Sequence, residues 1–324
     1  MLTDLYQEKI LAVLGATKIQ KTDLIQELWS GYGKILRLQL EGTTVPSVIV
    51  KYIDLSFQNN HPRGWSTSTS HDRKLRSYEI ETNWYNTYAD KNDKARVPLC
   101  YALIKEDDYR ILILEDLDSA GFPLRKSRLT VKESKLVLKW LANFHGKYLG
   151  RLLNNLWEVG TYWHLATRPD EFKIMAESEL KQNARKLDEM LNNYTYKTIV
   201  HGDAKVANFC FSESMDKVAA VDFQYVGGGC GMKDVAYFLG SCLSEGECEN
   251  YEEELLNFYF SELKQSVESN KHVIDFTALE KEWRFLYPLA WADFTRFLLG
   301  WMPTHQKINS YSRKMVEQTL NILE

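Results

Sequence analysis

Between residues 199 and 227 the chain reads IVHGDAKVANFCFSESMDKVAAVDFQYVG, and its polar side chains are of the kinds that phosphate chemistry uses. Two short apolar runs, 208–211 and 218–221, flank a polar turn and predict a hairpin. In front of the first run lie His201, Asp203, Lys205 and Asn208; directly after the second come Asp222, Phe223 and Gln224. A loop entering a hairpin and an acid leaving it put Asp203, Asn208 and Asp222 within reach of one centre. Phosphoryl transfer needs this set: a carboxylate to orient a hydroxyl and accept its proton, and oxygen ligands for magnesium on a triphosphate.

The elements that must hold this centre follow from periodicity. Apolar residues at helical spacing over 3–14, closed by Gly15, predict a leading helix. Two β-like runs, 34–40 and 47–53, separated by a turn-prone Glu-Gly-Thr-Thr, predict a hairpin. The polar stretch 56–72 has loop composition, and from Arg73 a helix carries Leu75, Tyr78, Trp84, Tyr85 and Tyr88 on one face. Strands are expected at 99–105 and 110–114. Beyond Ser119 the texture changes to long helices at 132–149, 169–191, 251–269 and 276–301, with the β-rich block 199–222 between the second and third. No internal repeat is present. The order gives an α+β chain: a small mixed lobe over 1–116, then a larger, mainly helical lobe over 117–324.

Composition bounds the rest. The 324 residues hold 40 basic and 44 acidic side chains, a net charge of −4, so no basic field is available to draw in nucleic acid. With 44% apolar residues and 26% charged ones the chain has the balance of a globular protein and can bury a large core. Five cysteines without paired spacing suggest neither a disulfide framework nor a zinc site. The opening MLTDLYQEKILAVLGATK mixes charge into its apolar run, and no window reaches the length of a membrane span. A cytoplasmic protein with no membrane association is the expectation.

The pattern H-G-D-x-x-x-x-N followed by D-F-Q resembles the catalytic and metal loops of the aminoglycoside phosphotransferase and choline kinase superfamily. With Leu114-Glu115-Asp116-Leu117 and the helical Leu141-Ala142-Asn143-Phe144-His145, it is most similar to the ecdysteroid-kinase-like branch. The resemblance implies a protein-kinase-like bilobal fold and phosphorylation of small-molecule hydroxyls with ATP and Mg²⁺. It makes Asp203 the catalytic base, Asn208 and Asp222 magnesium ligands, His201 a brace of the loop, and Asp234 the buried acid that supports it. Lys51 in VIVKYI takes the place of the lysine that meets the α and β phosphates. Glu81, in E-T-N-W-Y, is its expected partner, with Glu79 the fallback. Adenine is expected against main chain at 114–117, hence Glu115, Asp116 and Leu117. Gly31 and Gly33, ahead of the first expected strand, are the candidate phosphate-covering loop.

Lys205 departs from that pattern. H-G-D-A-K-V-A-N also overlays the protein-kinase form H-x-D-x-K-x-x-N, in which the lysine neutralises the moving phosphate. Only 12 positions separate Asp222 from Asp234 (234 − 222), the intervening run is glycine-rich, and no A-P-E follows, so a small hydroxylated acceptor fits better than a protein. Lys205 is then expected to stabilise charge on the transferred group. A non-catalytic nucleotide-binding regulatory module is the other alternative. The run at 227–231 reads as a flexible turn, and its Cys230 as inert. The aromatic helix 283–301 could wall a cationic or ring-bearing acceptor through Trp283, Tyr287, Trp291 and Trp301 with Asp293, although most of its rings are expected in the core. Asp293 and Arg296, with Trp291, are the acceptor-site candidates.

Overall fold

The structure is a computed structural model that describes residues 4–28, 31–56, 68–89 and 94–324. It opens with helix α1 (Asp4–Leu14) and strands β1 (Lys18–Glu27), β2 (Gly33–Glu41) and β3 (Ser47–Asp54), followed by α2 (Ser68–Thr87), β4 (Cys100–Lys105) and β5 (Tyr109–Glu115). The five strands form one antiparallel sheet in the order β1-β2-β3-β5-β4. Alternation along the strands sorts the side chains between two faces. Leu36, Leu38, Val48, Val50, Ile111 and Ile113 join Ile10 of α1 in one apolar cluster. Ile53, Leu112 and Leu114 belong to the larger core on the other face, where α2 contributes Tyr78, Trp84 and Tyr85. Lys51 shares the parity of Ile53 and so is carried on that second face.

Two expectations are corrected here. Strand β1 was not expected, because nearly all its side chains are exposed at a sheet edge and no apolar period marks it. The Gly31–Gly33 turn therefore joins β1 to β2 instead of leading into the first strand; Ser30 and residues 57–67 of the polar stretch lie outside the described residues. Helix α2 also begins five residues before Arg73.

The rest is helical around two small β units. After β6 (Leu124–Arg125) come α3 (Val131–Lys147), α4 (Pro169–Ile174), α5 (Glu179–Gln182) and α6 (Ala184–Met190). Then follow β7 (Thr198–Val200), β8 (Phe209–Phe211), β9 (Val218–Ala220) and β10 (Gly227–Gly229). The chain closes with α7 (Gly231–Cys242), α8 (Glu245–Ser269), α9 (Phe276–Trp301) and α10 (Ser310–Leu323). Capping boxes at Thr130 and Ser244 start α3 and α8. The stretch 169–191, expected as one helix, is three short ones: Ser178 caps the second through its side chain, and the third starts afresh after Asn183. The glycine run, expected as a turn, is strand β10, paired antiparallel with β7. A Cβ on Gly227 would lie 2.3 Å from the Trp157 carbonyl oxygen, so the absent side chain is what admits that strand. Burial raises the Cys230 thiol to about 11, which keeps it protonated. No helix among the described residues is long and apolar enough to cross a membrane.

Candidate active site

The sheet, α2 and the β8–β9 hairpin converge on a cleft of about 1140 Å³. Lys51 in β3 meets Glu81 in α2, Nζ to Oε2 at 2.7 Å, with both side chains buried. On the far side of the ammonium is Asp222 Oδ1 at 3.8 Å. Burial opposes the charge on Lys51, but Glu81 and Asp222 outweigh it and raise its pKa. Glu79 is turned away and pairs with Arg76 on an exposed surface. Glu81→Gln should therefore weaken ATP KM about tenfold, one charge-assisted hydrogen bond, while Glu79→Gln leaves it unchanged. Steady-state kinetics on the two variants tests this.

Asp222 follows β9 in the left-handed region, φ +69°. That conformation costs a non-glycine residue about 1–2 kcal/mol and is held by its contacts. Gln224 supplies one of these, donating from Nε2 to Asp222 Oδ1 at 2.8 Å while its Oε1 accepts from Lys74 Nζ at 2.9 Å and Ser77 Oγ at 3.2 Å. The glutamine of D-F-Q thus ties the acid to α2. Burial would raise the Asp222 carboxyl, but Lys51, Lys205 and Lys74 outweigh it and hold it below the usual carboxylate range.

The loop after β7 carries the other acid. Asp203 Oδ2 accepts from Lys205 Nζ at 2.9 Å and Asn208 Nδ2 at 3.0 Å, while its buried Oδ1 accepts no hydrogen bond within ordinary distance among the described residues and the Tyr237 hydroxyl stands near the carboxylate. His201 accepts the Asp203 N–H through Nδ1 at 3.2 Å and donates through Nε2 to the Val221 carbonyl at 3.0 Å, joining loop to hairpin. Asp234 on α7 is fully buried and takes the His201 and Gly202 N–H groups at 2.6 and 2.9 Å, and His145 Nε2 at 3.0 Å. Gly202 is at φ +78°, and a Cβ there would stand 2.0 Å from the Tyr225 carbonyl oxygen. Gly202→Ala should cost more than about 2 kcal/mol, read as a lowered Tm.

At the other end of the cleft, Glu115, Asp116 and Leu117 are all in its wall, but the two acids are occupied. Glu115 pairs with Arg96 at 2.5 Å and accepts the Leu99 N–H. Asp116 holds Arg37 at 2.8 Å and the Ser47 hydroxyl. The main chain is what this segment offers a ligand. Gly33, at φ +147°, lies where a Cβ would be 2.0 Å from the Tyr52 carbonyl oxygen; its absence lets β2 close on β3. Tyr32, between the two glycines, lines the cleft.

The three acceptor-site candidates are not in the cleft wall, and that expectation is corrected. Asp293 and Arg296 are buried against each other at 2.8 Å, and Arg296 also donates to the Trp163 carbonyl. Trp291 packs on Tyr311 and over Gly240 in the core. Helix α9 turns Phe294, Leu298 and Trp301 to the cleft instead. Facing them are Tyr162, Arg168, Tyr237, His305 and Lys307, none of which the sequence reading singled out.

The chain matches the Ecdysteroid kinase-like family over residues 74–149 and 158–272, more than half its length. It belongs to that family. The matched segments contain Glu81, the whole 201–224 constellation and Asp234. The fold is that of a kinase-like α+β protein, an antiparallel sheet followed by a helical region. Comparison with curated proteins gives no match. Among solved structures, the chain resembles a Plasmodium vivax ethanolamine kinase (12% identity, 94% of this chain and 83% of that one, TM-score 0.49). It also resembles an aminoglycoside phosphotransferase from Streptomyces rimosus in complex with ADP and streptomycin (11% identity, 90% and 100%, TM-score 0.49). A choline/ethanolamine kinase family protein from Mesorhizobium loti is a third (12% identity, 100% and 95%, TM-score 0.44).

The donor set of this family member suits magnesium better than a transition metal. Among the described residues no group of three or more His, Cys, Asp or Glu side chains is placed to hold an ion. Asn208 commits its amide nitrogen to Asp203, which leaves its oxygen as a donor, and Asp222 adds a charged carboxylate. One carboxylate and one amide oxygen match an ion that keeps waters and substrate phosphates as its other ligands.

Proposed function

We propose that this family member transfers the γ-phosphoryl group of ATP, with magnesium, to a hydroxyl of a small molecule. The observation that carries the reading is the meeting, in one cleft, of the buried Asp203 carboxylate and the Lys51–Glu81–Asp222 cluster. Lys51 binds the α and β phosphates, and the main chain at 115–117 meets adenine. Magnesium, when bound by Asn208 and Asp222, neutralises charge on the triphosphate. Asp203 orients the acceptor hydroxyl and takes its proton as the acceptor oxygen bonds to the γ-phosphorus. The bond from that phosphorus to the β–γ bridging oxygen breaks, and ADP leaves with the electron pair. Lys205, whose pKa is raised because Asp203 and Asp222 outweigh its burial, keeps its charge beside the moving group.

A protein acceptor is disfavoured by the run after Asp222, which enters strand β10 and then α7 with no free segment on which a peptide could lie. A regulatory module without catalysis is disfavoured by the intact set of Asp203, Lys205, Asn208 and Asp222 in one cleft, an arrangement that binding alone does not require. ADP release that requires magnesium, ATP and an added hydroxylated compound is the expected result. Asp222→Ala should abolish the magnesium dependence of nucleotide binding, measured by calorimetry. Wild-type affinity for ATP that ignores magnesium would contradict the assignment.

A further inference from the structure

The charges around the cleft are unevenly matched. Each of its carboxylates has a basic partner: Glu81 and Asp222 share Lys51, Asp116 and Asp118 share Arg37, Glu115 has Arg96, and Asp203 has Lys205. Three cations in the same wall form no ion pair among the described residues: Arg73, Lys74 and Lys307. Arg73 donates to the Thr167 carbonyl and Lys74 to Gln224. Lys307 has no hydrogen-bond acceptor among the described residues. Its ammonium lies over the rings of Tyr237, at 4.7 Å from the centroid, and Phe294, at 5.5 Å.

The rings beside Asp203 form a continuous floor. Tyr162 packs edge-on to Tyr237 and Phe297, and Phe294 packs on Tyr237. Arg168 lies over Tyr162 and Phe297, 5.5 and 5.2 Å from their centroids. An aromatic floor commonly serves a cationic ligand. Here the protein's own cations Lys307 and Arg168 already lie over the rings, and every carboxylate in the wall already holds a basic partner, Asp203 through one oxygen only. A cationic acceptor therefore meets two resident cations and only one incompletely paired carboxylate. An anion meets a half-buried ammonium that forms no ion pair among the described residues, beside an aromatic wall that suits an apolar body.

We propose that the acceptor is a hydroxylated ring compound bearing an anionic group, a carboxylate or sulfate, which Lys307 receives while the hydroxyl faces Asp203. The inference rests on the phosphotransferase reading and narrows its substrate class. Lys307 lies outside the segments matched to the family, whereas Tyr162, Arg168 and Tyr237 lie within them. Burial lowers the Lys307 pKa to about 8, with Lys205 pushing the same way and Asp203 and Cys242 opposing. Of the other groups facing it, burial raises Tyr237 and lowers His305.

The test uses three matched probes, 4-(hydroxymethyl)benzoate, 4-(hydroxymethyl)benzamide and 4-(hydroxymethyl)benzylamine. They are titrated calorimetrically into the full chain saturated with magnesium and β,γ-methylene-ATP. The benzoate should bind about tenfold or more tighter than either partner, the worth of one charge-assisted contact. Lys307→Met should remove that preference and Lys307→Arg should retain it. In the wild type the preference should fall as pH rises through about 8, where Lys307 loses its proton, and Lys307→Arg should not show this fall. Equal or tighter binding of the benzylamine or benzamide, a preference that survives Lys307→Met, or no measurable benzoate binding would overturn the inference while leaving phosphoryl transfer intact. Failure of the nucleotide analogue itself to bind with magnesium, read before any probe is added, would overturn the phosphotransferase reading and this inference with it.

Discussion

Asp203→Asn is expected to lower kcat for acceptor phosphorylation by about 10²–10⁴-fold, the usual worth of a general base, with ATP affinity held within about twofold. The asymmetry follows from position. Asp203 Oδ2 is held by Lys205 and Asn208, whereas Oδ1 is buried without a basic partner among the described residues, so proton transfer is what an amide removes. The nucleotide's own contacts lie with Lys51, Asp222 and the main chain at 115–117, none of which Asp203 touches among the described residues. Separate measurement of ATP affinity and turnover distinguishes this from a binding defect. If the variant lost both equally, Asp203 would be a nucleotide ligand instead.

Asp234→Ala is expected to remove the folded protein altogether. The carboxylate receives two backbone N–H groups and one imidazole nitrogen with no exposure to solvent. Each donor left without an acceptor costs about 1–3 kcal/mol, and three together rival the 5–15 kcal/mol by which whole domains are stable. The loss also frees the His201 and Gly202 N–H groups that anchor the turn to α7. Thermal unfolding should show a collapsed transition or no soluble protein; an unchanged Tm would mean that the loop is braced elsewhere. The contrast with Asp203→Asn, inert yet stably folded, separates the supporting acid from the reacting one.

How far these residues were legible in the sequence depended on how local their geometry is. The 201–224 block could be read because a loop and a tight hairpin bring its polar residues together whatever the rest of the chain does. Lys51 and Glu81 lie on different elements, and it was the resemblance, not periodicity, that paired them; the sheet and α2 meet at 2.7 Å between their tips. Periodicity misled in α9. The aromatic stripe of Trp283, Tyr287 and Trp291 says that one face differs from another but not which faces the cleft, and the charged pair Asp293–Arg296 at i, i+3 is buried in the core. Lys307 sits in an irregular stretch between α9 and α10 with no repeat to announce it. Strand β1 was invisible for the reason that it is an exposed edge, and β10 because three glycines read as a turn until Trp157 and β7 are seen to press against them.

The most direct test of phosphoryl transfer is to follow phosphorus-31 in a mixture of the protein, magnesium, ATP and an accepted hydroxyl compound. A phosphate monoester of that compound should appear in equal amount with ADP, and both should form about 10²–10⁴-fold more slowly with Asp203→Asn. Magnesium-dependent ATP binding with no new phosphorus species across hydroxylated acceptors, or label found on added protein instead, would contradict it.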